Sequence, residues 1–145
     1  MEEENKYYTP DISEFYVGFE YEHFSKGAYS KFEIIGWSDF EDISYDLDIK
    51  DRIRVKYLGS SDIEDLGFRK VKDYSDQIIF QTVIHEFPEG HSWYELDFDK
   101  YSQDIIIEYW EDLGKNRQSI REQLFKGTIK NISELKKVLT QVGVL

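Results

Sequence analysis

An α+β fold is predicted, a largely antiparallel sheet of about six or seven strands with a short middle helix and a C-terminal amphipathic helix. Three observations predict it. Apolar and polar residues alternate with a period of two through most of the chain, short turn-forming clusters separate the alternating runs, and the last stretch changes to a helical period behind a capping residue. A doubly wound parallel sheet would need helices between its strands, and the sequence has no such pattern. At 145 residues the chain is expected to form one domain with a sizeable core.

The elements follow in order. Phe15, Val17, Phe19 and Tyr21 alternate with smaller or polar residues, so residues 15–22 read as a half-buried strand. Lys31 to Trp37 reads as a second, shorter strand. Residues 38–51 are rich in Asp, Ser and Glu without a sustained period and read as a long loop holding at most a turn of helix. Residues 52–58 return to alternation, with Ile53, Val55 and Tyr57 inward and Arg52, Arg54 and Lys56 outward. Ser61 and Glu64 have the spacing of a capping box, and Gly67 sits where a left-handed C-cap falls, so a helix of one or two turns is expected between them.

Residues 77–87 and 92–98 form a predicted hairpin around Pro88-Glu89-Gly90-His91, and residues 104–110 and 119–129 form a second one joined through Gly114-Lys115-Asn116. Asn131 and Glu134 make another capping box. Behind it Ile132, Leu135, Val138 and Leu139 lie on one stripe, so a helix is expected from about 132 to 141, packed on the sheet.

Composition narrows the classes of function. Thirty acidic residues against 18 basic ones give a formal charge of −12, which opposes non-specific binding to nucleic acid or to an anionic membrane. The absence of Cys excludes disulfides, thiol nucleophiles and thiolate metal sites. No apolar run approaches the roughly 20 residues of a membrane span, and the acidic Glu2-Glu3-Glu4 start is unlike a secretion signal, so the expected location is the cytoplasm. The charge is segregated, at −10 over residues 1–48 and −8 over 86–112, against +1 over 49–85 and +5 over 113–145. Such segregation suits a chain that presents an acidic surface apart from a basic one.

Several clusters have the residue types of a chemical site. His85-Glu86-Phe87-Pro88-Glu89-Gly90-His91 is rich in metal-capable side chains, but it spans a turn and alternation sends His85 and Glu86 to opposite faces, so no metal site is expected. The run from Asp97 to Glu108 has the length of a calcium loop, but Tyr101 and Ser102 stand at its fifth and sixth positions, where a ligand and a glycine are needed. Glu20/Glu22, Asp46/Asp48 and Asp97/Asp99 are carboxylates two apart that share a strand face. With no feature to separate their pKa values, they read as an outer sheet face, and neither catalysis nor a cofactor is expected. Asn131-Ile132-Ser133 matches a glycosylation sequon and reads more simply as a helix cap.

The arrangement to single out is Arg52, Arg54 and Lys56 on one strand face, with Arg69, Lys70 and Lys72 not far along the chain. Such a stripe can hold phosphates while a neighbouring aromatic such as Tyr57 stacks on a base. The competing expectation is cross-strand pairing of the same cations with an acidic row such as Glu20/Glu22. Half of the 24 aromatic residues lie within residues 1–45, where they serve either as core and cross-strand pairs or as a stacking surface.

The opening block from Tyr7 to Glu22, Tyr-Tyr-Thr-Pro-Asp-Ile-Ser-Glu-Phe-Tyr-Val-Gly-Phe-Glu-Tyr-Glu, resembles short uncharacterised proteins encoded by phages and mobile elements of gut Bacteroidales. Residues 52–58 leading to 62–68, and residues 125–135, are similar to the same group. The resemblance covers about a third of the chain and implies an origin, with no activity or site residues to transfer. Accessory proteins of that origin act on host machinery, antiviral defence included.

The expected function is therefore a non-enzymatic accessory binding protein that counters a host function by sequestering a nucleotide signal, with Arg52, Arg54, Lys56, Tyr57, Arg69 and Lys72 as ligand-binding residues. A second reading is an acidic inhibitor that masks a basic host surface, using Glu20, Glu22, Asp97 and Asp99. A third is a small structural component of the virion. The partner is then a small nucleotide or a host protein, homo-oligomers being compatible with either.

Overall fold

A computed structural model describes residues 6–46, 52–114 and 119–145. Asp48, Lys115 and Asn116 lie outside these residues, as do Glu2, Glu3 and Glu4. The fold is α+β, with two antiparallel sheets and three α-helices among the described residues. The strands are β1 (Tyr7–Tyr8), β2 (Glu20–Ser25), β3 (Ala28–Glu33), β4 (Ile53–Lys56), β5 (Arg69–Asp73), β6 (Gln77–Gln81), β7 (His85–Phe87), β8 (Gly90–Asp99), β9 (Asp104–Asp112) and β10 (Ile120–Thr128). The helices are α1 (Trp37–Asp46), α2 (Ser60–Asp65) and α3 (Ile132–Gln141). No helix among the described residues is long and apolar enough to cross a membrane.

The chain divides into two compact units, residues 1–57 with 131–134, and residues 58–130 with 135–145. In the first unit the strands run in the order β1-β4-β2-β3. Its core gathers Phe15, Phe19, Ile34, Ile43, Ile53 and Val55, with Tyr8, Tyr16, Tyr21 and Phe40 packed around them. In the second unit the order is β10-β9-β8-β6-β5, and β7 pairs with the first residues of β8. The apolar face of that sheet contributes Ile78, Phe80, Leu96, Phe98, Ile105 and Ile107 to the buried residues of this unit, which include Ile63 of α2 and Leu135 and Leu139 of α3.

Five expectations are corrected. One sheet holding all the strands is replaced by two, because β1 to β4 pair only among themselves. The predicted strand 15–22 begins only at Glu20: a 3-10 turn at Ile12–Glu14 and Gly18 at φ +95° bend the chain, so Phe15 and Phe19 are buried while Val17 is exposed. The strand expected over 31–37 is shifted to 28–33, and the loop expected over 38–51 is helical from Trp37 to Asp46. There Phe40 and Ile43, three apart, face the core, and the Asp39 carboxylate accepts the N–H groups of Ile35 and Gly36 at 2.9 and 3.0 Å. Finally, α2 is capped two residues earlier than the Ser61/Glu64 spacing places it, at Gly59, whose N–H donates to Asp62 Oδ2 at 2.8 Å, while Gly67 follows at φ +96° as expected.

The predicted strand 77–87 is divided at Thr82, whose N–H donates to the Tyr94 carbonyl. Strands β1 and β5 had no counterpart in the sequence reading. The final helix occupies the expected residues, with Asn131 Oδ1 accepting the Glu134 N–H at 2.9 Å.

Candidate functional site

The cations singled out in the sequence fall into two groups in different units. Arg54 sits on β4 directly opposite Glu22 of β2, and its Nη2 donates to Glu22 Oε1 at 3.2 Å. The rings of Tyr7 and Tyr29 lie on its guanidinium, each centroid 3.7 Å away. Both faces of the planar cation are thereby covered. Arg52 is exposed just before β4, Lys56 is exposed and opposite Tyr7, and Tyr57 is stacked on Tyr8 at 4.7 Å. Arg69 and Lys72 are exposed on β5, at one edge of the six-stranded sheet.

The register of the six-stranded sheet builds a different constellation on its outer face. Trp93 of β8 lies opposite Trp110 of β9, which lies opposite Arg121 of β10. In the next row Glu95 and Glu108 face each other, with Gln81 of β6 and then Arg69 beyond Glu95. In the third row Asp97 lies between Ile106 and Ile79, with Lys72 beyond Ile79. Directly opposed residues share a face, so two tryptophans and three carboxylates stand together at the sheet's centre, with Arg69 and Lys72 towards one edge.

The indole planes of Trp93 and Trp110 are nearly parallel, 5° apart with centroids at 6.0 Å, and His91 stacks on Trp93 at 5.4 Å. Both indole N–H groups are buried, and among the described residues neither meets an acceptor. Arg121 closes one end, with its guanidinium 5.1 Å above the Trp110 ring and its Nε donating to Glu108 Oε2. Glu108 is buried, 5% exposed, so this contact supplies the countercharge its carboxylate needs. Glu95 accepts from the Gln81 amide at 3.3 Å, a neutral donor.

The electrostatics of Asp97 describe the face as a whole. Burial raises its pKa above the ordinary carboxylate value, and Glu95, Glu108, Asp99 and Asp76 raise it further. The charged neighbours that shift it are all carboxylates. Asp99, two residues along, is lowered instead, because its carboxylate accepts the N–H groups of Ser102 and Tyr101 at 2.9 and 2.8 Å. The two aspartates thus separate, which their spacing alone does not predict, but Asp99 is spent on closing the turn after β8.

One member of each remaining acidic pair makes a structural contact. Glu22 holds Arg54, and Asp46 at the end of α1 takes His23 Nε2 at 2.9 Å. Glu86 and His91 are opposite each other on β7 and β8, and among the described residues no three His, Asp or Glu side chains are arranged to hold a metal ion. The Trp93/Trp110 and Glu95/Glu108 pairs escaped the sequence reading, although a signal for them was present. Residues 92–98 and 104–110 are consecutive strands around a short turn, and counting outward from that turn places each pair face to face.

The chain matches no protein-family model, no curated protein and no solved structure.

Proposed function

We propose that the chain is a non-enzymatic accessory binding protein, of phage or mobile-element origin, that counters a host function by covering a basic surface of a host protein. The observation that carries this reading is the outer face of the six-stranded sheet, where Glu95, Asp97 and Glu108 are held together by cross-strand register beside Trp93 and Trp110. Like charges opposed on a sheet repel one another, so a face that keeps them gains when a cation arrives. Tryptophan supplies the large buried contact on which protein interfaces concentrate their energy. The segregated charge of residues 86–112, −8 in total, steers a basic partner toward the same strands.

The test is binding of a basic host protein, or of a peptide from its basic surface, across a salt series. Association should weaken steeply as salt rises, and Glu95→Gln with Asp97→Asn should weaken it at low salt while Arg52→Glu leaves it intact. Binding indifferent to salt and to both carboxylates rejects the reading.

Nucleotide sequestration is the second reading, favoured by Arg69 and Lys72, which are exposed on an edge strand that leads into the exposed Tyr74. Arg54, committed to Glu22, Tyr7 and Tyr29, is not available to it without breaking those contacts. A thermal shift with a nucleotide that disappears in Arg69→Glu/Lys72→Glu would put this reading first.

A further inference from the structure

The outer sheet face carries two similar cradles, and one of them is filled by the chain itself. On β9, Trp110 and Glu108 lie two residues apart on the same face, and Arg121 reaches both from β10. On β8, Trp93 and Glu95 are the cross-strand counterparts of those residues, again two apart on the same face. A guanidinium over an indole ring with a carboxylate at its edge is a favourable arrangement, and Arg121 demonstrates it in place.

Among the described residues no cation is bonded at the second cradle, although Arg121 is near enough for its charge to act on Glu95. Among the described residues no ion pair reaches Glu95, whose recorded partner is the Gln81 amide. The reason lies in the sheet. Beyond β8, strand β6 pairs with Glu95 to Asp99 and β7 with Gly90 to Ser92, leaving Trp93 and Tyr94 opposite the interruption at Thr82, Val83 and Ile84. Those residues bring no charge, and Val83 is 86% exposed. The neighbouring carboxylates Asp97 and Glu108 add negative charge from the same strand and from β9, and no cation from β6 balances them.

We propose that Trp93 and Glu95, with Asp97 and the Gln81 amide beside them, form a seat for an arginine guanidinium of the partner protein, the counterpart of the seat that Arg121 fills on Trp110 and Glu108. The seat deepens the basic-surface reading and rests on it: it specifies arginine over lysine. A guanidinium can lie flat on the indole, in the place that His91 takes in the free chain, while donating two hydrogen bonds from its edge, whereas an ammonium is a compact charge that prefers its water.

The probes are two peptides of equal length and charge, one an Arg-Gly repeat and the other a Lys-Gly repeat, titrated against the full chain at low salt. Trp37 is exposed on α1, so Trp37→Phe serves as the background and leaves only Trp93 and Trp110 to report by fluorescence. The arginine peptide should bind about three- to tenfold tighter than the lysine peptide and change the tryptophan emission. Glu95→Gln and Trp93→Leu should each remove that preference, with Glu95→Gln carrying the test if Trp93→Leu fails to fold. Equal binding of the two peptides, or a preference that survives Glu95→Gln, overturns the arginine seat and leaves the basic-surface reading standing. Binding of neither peptide overturns both.

Discussion

Arg54 shows how a surface-looking residue becomes part of a structure. Its guanidinium lies between Tyr7 and Tyr29 and bonds Glu22, so Arg54→Lys should lower stability by about 1–2 kcal/mol, measured by denaturant unfolding, because lysine cannot stack flat. Asp97 behaves in the opposite sense. Its folded pKa is raised, so the native state holds its proton more tightly than the unfolded chain does, and stability falls as pH rises from the ordinary carboxylate value through the raised one. Asp97→Asn should therefore raise Tm at pH 7, with the gain vanishing at a pH low enough to protonate the wild-type side chain. The sequence showed alternation, which tells a residue's face and not its partner. The competing expectation, a cross-strand pair with the Glu20/Glu22 row, is met at Arg54, which bonds Glu22 across strands 32 positions apart; local propensity and spacing alone do not choose between that pair and an open stripe.

Among the elements, α3 was legible to its ends because its signals are local: a capping Asn131, an apolar stripe and a stop. The cap does more than start the helix. Asn131 is 1% exposed, and its Nδ2 donates to the Tyr8 hydroxyl at 2.8 Å, which in turn donates to Glu14 at 3.0 Å. Burial, with Glu14 adding to it, lifts the Tyr8 pKa above its ordinary value. Asn131→Ala removes the cap and one partner of that hydroxyl together, and should cost about 2 kcal/mol; Asn131→Asp, which keeps the cap, should cost less. The helix α1 was missed for the converse reason. Its run of Asp, Ser and Glu hides an apolar spacing of only two core residues, Phe40 and Ile43, and packing supplies what the local pattern lacks.

For the whole molecule, α+β class and antiparallel pairing followed from the sequence, whereas the division into two sheets did not. Strand alternation is the same whether two strands share a sheet or belong to separate ones, and the choice is made by long-range packing. The candidate site is a different case: the turn between β8 and β9 carries the register that sets Trp93 opposite Trp110 and Glu95 opposite Glu108, while the further contributions of Gln81 and Arg121 come from β6 and β10. A face built by register should respond to a basic partner as one surface. The most direct measurement is a residue-resolved nuclear magnetic resonance titration of the full chain with an arginine-rich peptide at low salt. Shifts should concentrate on Trp93, Glu95, Asp97 and Trp110, including both indole N–H signals, and shrink as salt is added. Shifts centred instead on Arg52, Lys56 and Tyr57, or spread evenly over the acidic residues, would contradict the assignment of the sheet face as the binding surface.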